Sequence, residues 1–362
     1  MKRIKSNHFG VKVLNSVLPV ILAFVVGGII IAAIGENPLT TYWVMIEKSL
    51  FDVKGITRTL QLAAPLLLSG VAISICFKAN IFNMGIEGQL VFGGFMAGIV
   101  GHYMMDMNPA VHKLICFGVG ILCGMLFALI PALLRAYFHV DEMVVTLVLN
   151  YAMSRVLEYL ASVVFRDAGA GYVATPPVQD SARFFLIGTT KMTPFFFISL
   201  VIFLIMAFVM TKTKLGYTIT ALGKNPTFAE ATGLRSRRTI VVLMLISGAL
   251  SGIAGTGHML SEKTFYTLDF SGSPGLGWDG MLIALLGRHS PIGIFVAAIF
   301  YSALKTGAEK IGLYTSVPNE IMAVIQSLII LFLAVQFFNE RYGLLESVRG
   351  KLAARKASKK EA

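Results

Sequence analysis

The chain predicts an all-α polytopic membrane protein with about ten transmembrane segments, and three observations carry that expectation. Of its 362 residues, 56% are hydrophobic and only 14% are charged, with a mean hydropathy of +0.76. A soluble surface needs roughly 25% charged residues, so lipid must be the solvent. Long stretches lack Asp, Glu, Lys and Arg altogether, among them 13–35, 59–77, 88–105, 114–134, 192–211, 239–261 and 321–339. A helix rising about 1.5 Å per residue crosses a hydrocarbon core of about 30 Å in about 20 residues, and such unbroken runs do not fit the alternating pattern of a barrel strand. Finally, the net charge of +12 is concentrated in residues 1–12 (+4), 212–238 (+5) and 341–362 (+5), which leaves −2 for the rest. That is the positive-inside distribution of a membrane protein, not a nucleic-acid surface.

The segments follow from these runs in order, with both termini and residues 212–238 in the cytoplasm. Span 1 covers 14–34; the 23 uncharged residues of its run exceed a signal-peptide core and no small-x-small cleavage site precedes Glu36. Residues 35–58 are expected outside. Span 2 (60–77) returns to Lys78, span 3 (83–104) exits to a short loop around Asp106, and span 4 (114–134) comes back to Arg135. Span 5 (143–165) leaves again, and a long external segment occupies 166–194. Span 6 (195–211) enters the basic loop and span 7 (239–260) leaves it. A short segment, 276–286, goes in, Arg288 and His289 mark the inner side, and 291–304 comes out. Residues 305–318 lie outside, and 319–338 returns to the basic tail. Eight full spans with two re-entrant pieces satisfy the same charges.

Residues 85–90 read Gly-Ile-Glu-Gly-Gln-Leu and residues 277–282 read Gly-Trp-Asp-Gly-Met-Leu. The shared Gly-x-acid-Gly-x-Leu begins two segments of opposite direction, the pattern of inverted halves (spans 2–5 and 7–10) in which interrupted helices meet at a substrate path. Glu87 cannot face lipid cheaply. It bonds helix-start amides, with Asn83 as a cap, contacts substrate, or does both. Asn80, Asn83 and Glu87 fall on one helical face, from which Gln89 is rotated. Glu142, Thr146, Asn150, Ser154 and Glu158 recur every four residues along one broad side of span 5. Asn150 is the strongest candidate there for solute contact; packing between helices is the alternative. Arg155 and Glu158 suit a mutual pair near the outer end. Trp278, beside Asp279, and Tyr151 can stack on a ring, or Trp278 belongs to the interfacial aromatic belt. Gly94/Gly98, Gly120/Gly124 and Gly248/Gly252 permit close helix contact.

No catalytic or metal motif appears. The three cysteines sit in apolar runs as small hydrophobes, and the segment 257–264 lacks the second glycine of a phosphate loop. Energy must come from an ion gradient or another polypeptide. Residues 212–238 hold a short helix started by Asn225-Pro226 and stopped by Gly233, with Phe228 and Leu234 available for a soluble partner; a simple positive-inside loop is the alternative.

The stretches Asn80-Ile-Phe-Asn-Met-Gly-Ile-Glu-Gly-Gln89, Asp141-Glu-Met-Val-Val-Thr-Leu-Val-Leu-Asn-Tyr151, Gly223-Lys-Asn-Pro-Thr-Phe-Ala-Glu-Ala-Thr-Gly233 and Gly277-Trp-Asp-Gly-Met-Leu-Ile-Ala-Leu-Leu-Gly287 together resemble permease subunits of ABC importers for nucleosides and simple sugars, the branched-chain amino acid-type permease family. The resemblance implies a single membrane permease domain over 1–362, paired with a second permease subunit above two ATPase subunits that hold ATP and Mg, and fed by an extracytoplasmic solute-binding protein. It implies that Asn83, Glu87, Gln89 and Asn150 line or shape the path, to which Trp278 and Asp279 of the second motif copy are added. It further implies that Asn225, Phe228, Ala229, Glu230, Gly233 and Leu234 form the coupling contact. Glu230 stands where the family has a second alanine, which bears on partner fit. A nucleoside suits the polar and aromatic groups better than a bare sugar. The rivals are a ribose- or galactose-like sugar permease, an ion-coupled carrier with Glu87 as relay, and a membrane scaffold.

Overall fold

A computed structural model of the chain describes residues 8–104, 107–268, 274–318 and parts of 321–332, with side chains from Val20 onward. Helix α1, His8–Ala33, is followed by α2, Pro38–Ile46, and a π-helical turn at Glu47–Phe51; the two arms are bent by 120°. Residues 35–58, expected outside, are thus largely helical. Asn37 accepts from the amides of Leu39 and Thr40, and Pro38 occupies the first turn, a strong helix start.

Helix α3, Val53–Lys78, begins seven residues before the expected span and takes Arg58 into the bundle. The chain then leaves helical geometry until α4, Ile86–Tyr103. Asn108 caps α5, Pro109–Phe138, which stops at left-handed His139. Asp141 caps α6, Glu142–Tyr159, by accepting from Met143 and Val144, and a π-turn at Leu160–Val164 extends it. Helix α7, Phe195–Lys212, leads to two short helices, α8, Lys214–Lys224, and α9, Pro226–Ala231. The basic loop thus holds one more helix than its cap signals predict. Helix α10, Ser236–His258, runs on as a π-turn at Met259–Lys263. Then come α11, Leu276–Leu286, and α12, Pro291–Tyr314, the latter continuing through residues expected to be an external loop.

Among the described residues, six helices are long and apolar enough to cross a membrane: α3, α5, α6 and α10 with their π-turns, α7 and α12. The bent α1–α2 pair makes a seventh if it is one span. The fold is all-α and multi-pass, with fewer such helices than the ten expected. Glu87, Gln89 and several glycines make α4 too polar to count by composition, and α11 has only 11 residues. The expected last span at 319–338 lies largely outside the described residues, as do Asp106, residues 1–7 and the basic tail 341–362. The disposition of the termini therefore rests on charge alone.

Residues 49–306 form one compact unit. Helix α3 is buried along nearly its whole length. Around it, α4, α5 and α10 meet backbone to backbone: a Cβ on Gly124 would overlap the Gly248 carbonyl, one on Gly252 the Gly120 carbonyl, and one on Gly255 the Leu90 carbonyl. Two of the three predicted glycine faces are thus the α5–α10 crossing, while Gly98 packs on Met259. Outward-facing Val144, Val148 and Tyr151 on α6 and Leu204, Ile205 and Phe208 on α7 are exposed, as lipid-facing side chains must be. Segment 166–194 is pinned by backbone hydrogen bonds, from Thr175 to Tyr266, Val178 to Thr264, Gln179 to Gly101 and Phe184 to Leu260. Residues 8–48 and 307 onward form a second unit, in which the Tyr42 hydroxyl donates to the Phe24 carbonyl at 2.7 Å.

Candidate functional site

Between α3 and α4 the backbone turns through Asn80, at φ +58°, and runs irregularly to Gly85. Non-helical backbone in an apolar bundle must find partners for its polar groups, and α6 supplies them. Glu142 Oε1 accepts from Phe82 N at 3.0 Å, and Thr146 Oγ1 accepts from Met84 N at 3.1 Å. Asn150 donates to the Met84 carbonyl at 2.7 Å and accepts from Gly88 N at 3.0 Å. Glu142, Thr146 and Asn150 of the fourfold stripe are therefore a ladder of side chains that serves the irregular backbone and the first turn of α4. Arg135 pairs with the second oxygen of Glu142 at 3.0 Å. Arg155 and Glu158 pair at 2.6 Å, as their spacing predicts.

Asn83 and Gln89 are fully buried and joined amide to amide, with Gln89 Nε2 donating to Asn83 Oδ1 at 3.2 Å and Asn83 Nδ2 facing Gln89 Oε1 at 3.4 Å. Asn83 also donates to Ser247 Oγ on α10 and accepts from Gly85 N, each at 3.0 Å. The helical face expected for residues 80, 83 and 87 does not form, because α4 starts only at Ile86 and 80–85 is irregular. That is why Gln89, expected to point elsewhere, meets Asn83.

Glu87 lies in the first turn of α4, 5% exposed. Its carboxylate reaches the start of α11, accepting from Gly275 N at 2.9 Å and Gly277 N at 2.5 Å. A Cβ on Gly277 would come within 2.6 Å of Glu87 N. Two helix N-termini, whose first amides lack intrahelical partners and carry partial positive charge, thus abut with one carboxylate between them. Asp279, the matching residue of the second motif copy, instead receives the Tyr301 hydroxyl at 2.5 Å and the Lys305 ammonium. Gly280, matching Gly88, sets the first turn of α11 against Ser69 and Gly70, past the midpoint of α3. Trp278 is half-buried in that turn.

In the basic loop Asn225 caps α9 by accepting from Phe228 N at 3.0 Å. At the other end Leu234 N donates to Ala229 O and Gly233 N to Glu230 O, with Gly233 at φ +87°, a Schellman stop. Ala229 is buried, whereas Phe228, 63% exposed, and Glu230 point outward. A Cβ on Gly223 would overlap the Lys78 carbonyl, so α8 rests on the end of α3 from which the irregular segment departs.

One polar group escaped the sequence reading. Arg58 pairs with Glu262 at 2.8 Å. Gln61 donates to Ser261 Oγ at 3.1 Å and accepts from both the amide and hydroxyl of Thr193 at 2.9 and 3.0 Å. Arg58 and Glu262 sit at the very ends of charge-free runs, so they were assigned to loops; the helices extend past both. No group of His, Cys, Asp and Glu among the described residues has the arrangement of a metal site, and Cys76, Cys116 and Cys123 are buried free thiols.

The family model described as "Branched-chain amino acid transport system / permease component" matches residues 55–334. The nucleoside ABC transporter permease protein NupB of Lactococcus lactis is 30% identical over 91% of this chain and 92% of its own length. The glucose ABC transporter permease protein TsgB13 of Haloferax volcanii is 30% identical over 90% and 88%, and the guanosine ABC transporter permease protein NupP of Bacillus subtilis is 29% identical over 88% and 92%. No solved structure matches.

Proposed function

Because this chain belongs to the branched-chain amino acid transport system permease family, and is thereby a permease subunit of an ABC importer rather than an enzyme, we propose that its solute is a nucleoside and that the junction of α4 and α11 is the element that moves during transport. Two of the relatives at about this similarity are named for nucleoside or guanosine transport, which supports the solute class. A simple sugar is the second reading, favoured by the glucose permease relative.

The observation that carries the mechanism is the Glu87 carboxylate bonded to the amides of Gly275 and Gly277. It supports the inverted arrangement of spans 2–5 and 7–10 within ten segments, since the two Gly-x-acid-Gly turns start the two helices that meet there. It is matched by the way α4 packs on α10 through Leu90 and Gly255 while α11 packs on α3 through Ser69 and Gly280. On this reading Asn83, Glu87, Gln89 and Asn150 shape the path by holding the broken backbone, their polar atoms being engaged with protein, while Trp278 and Asp279 stand on its second side. Residues 212–238 are the cytoplasmic coupling loop and 341–362 a cytoplasmic tail. Phe228 and Glu230 meet an ATPase subunit, with Asn225, Ala229, Gly233 and Leu234 fixing the shape they present. ATP and Mg bind that partner, a second permease completes the membrane part, and a solute-binding protein outside a bacterial cell membrane delivers the solute.

ATP binding would pull on α8–α9, whose contact with Lys78 leads into residues 79–85 and so to Glu87. The test is uptake by the complete importer in proteoliposomes with guanosine, uridine, ribose, galactose and glucose in competition. ATP-dependent nucleoside uptake unaffected by excess sugar is expected; uptake driven by an ion gradient without ATPase would overturn the assignment.

A further inference from the structure

Helix α6 carries an ion pair where a helix facing only lipid has no use for one. With its π-turn it runs Glu142–Val164, 23 residues, bounded by Asp141 on one side and by Arg166 and Asp167 on the other. Arg155 is the second residue beyond the midpoint, Met153, so its backbone stands about 3 Å from the middle of the span. Headgroups lie about 15 Å away in either direction, farther than the side chain extends. Yet the Arg155 side chain is 76% exposed, against 23% for its partner Glu158. An arginine at that depth is costly unless protein or water meets it, and one carboxylate takes up only part of a guanidinium's donor fork.

The side chains beside Arg155 share its exposure. Ala152, Arg155, Val156, Tyr159 and Val163 are all exposed and stand at helical spacing on one side of the outer half of α6. Glu142, Thr146, Asn150, Leu157 and Ala161 turn to the bundle instead. Among the described residues, α6 is the least buried of the six long apolar helices. Exposed Leu204, Ile205 and Phe208 of α7 have no charge among them and suit lipid; the outer half of α6 does not.

We propose that the outer half of α6 is the surface on which the second permease subunit packs, with Arg155 as its central anchor. The inference rests on the importer reading above and gives that partner a place on this chain. The contacting helix of the partner offers a carboxylate to Arg155 at mid-membrane depth and side chains that fit between Ala152 and Tyr159. Another α6 meets this requirement through its own Glu158, since opposite charges then alternate across a self-complementary joint. Arginine and tyrosine flanking a small residue are also the side chains that anchor interfaces. Lipid tails supply no acceptor at that depth, and an ATPase or a solute-binding protein works outside the hydrocarbon.

The experiment keeps the complete importer in its membrane and puts the photo-cross-linker benzoylphenylalanine in place of Tyr159, with Leu204 of α7 replaced as the control. Irradiation should join the Tyr159 site to a permease-sized subunit and the Leu204 site to lipid alone. Ala152→Trp, a side chain lipid would accommodate, should lower the second permease recovered with this chain about tenfold through overpacking, and Leu204→Trp should not. A Tyr159 site that reacts only with lipid, an ATPase or its own chain overturns the interface, as does an Ala152→Trp importer that keeps its second permease in full. If Ala152→Trp fails to insert, the photo-adduct decides. A parent importer without ATP-driven uptake overturns the importer reading instead, and a permease-sized adduct would then still uphold the α6 surface.

Discussion

Replacing Glu87 by alanine should cost this protein several kcal/mol, and the structure allows the amount to be worked out. The carboxylate accepts two backbone hydrogen bonds, from Gly275 and Gly277, and hydrogen bonds to a charged group are worth about 1.5–3 kcal/mol each. Removing it also strips the counter-charge from two helix N-termini, about 0.3–1 kcal/mol each and more when partly buried. Against this stands the desolvation of the carboxylate, which the mutant no longer suffers. The net is a loss of about 3–5 kcal/mol for Glu87→Ala. Glu87→Gln keeps one oxygen as acceptor but turns an NH2 group toward the other amide, so about 2 kcal/mol of loss is expected from a single unmatched donor. Unfolding of the full chain in mixed micelles with increasing SDS, followed through Trp43 and Trp278 fluorescence, should rank parent above Gln above Ala. A Glu87→Ala protein within about 0.5 kcal/mol of the parent, the range of ordinary surface changes, would refute the junction as a structural element.

Gly223→Val should push α8 off the Lys78 carbonyl, at about 1–3 kcal/mol of overpacking. Solute-stimulated ATP hydrolysis by the assembled importer should fall while membrane insertion persists, and unchanged stimulation would remove α8 from the coupling route. Gly233→Arg strains a left-handed position by about 1–2 kcal/mol, and Glu230→Lys reverses the charge presented to the partner. Both should lower uptake and hydrolysis together in the same assay, with normal expression on immunoblots. His289 lies outside the helical spans, where burial and the nearby Lys78 charge push its imidazole down to about 4 from an ordinary 6.5. The unfolded chain therefore binds a proton first. Stability contributed by this residue is complete above pH 6.5 and declines as pH falls toward 4, by about 3 kcal/mol in all. His289→Gln should flatten the thermal unfolding profile across that interval, and an unchanged slope would exclude the residue as its source.

Much of this architecture was legible in the chain because lipid imposes simple rules. The charge-free runs located α5, α7 and α10 to within a few residues, since a helix that satisfies its own backbone is the economical way through hydrocarbon. The short segment 276–286 matched α11 at both ends, and the fourfold stripe on α6 was visible as a stripe. What it does was not visible, because its partners, Phe82, Met84 and Gly88, are backbone atoms that carry no sequence signal. Asn80, Asn83 and Glu87 stand at helical spacing, but a left-handed Asn80 and a helix that starts only at Ile86 break the face they would share, and Asn and Gly are tolerated in either state. Helix α2 lies in the segment expected outside and is announced by Asn37-Pro38, the same chemistry that marks Asn225-Pro226. The resemblance to importer permeases identified the family, while the Arg58–Glu262 pair stands just beyond the ends of the charge-free runs and carries no motif.

The glycine contacts among α4, α5 and α10 have a mechanical consequence. Where Gly124 meets Gly248, Gly120 meets Gly252 and Leu90 meets Gly255, backbone lies directly on backbone, so sliding one helix past another would collide carbonyl with carbon. Those three helices should swing together like a welded frame, and whatever opens a passage must hinge where polar side chains, not bare backbone, form the joint.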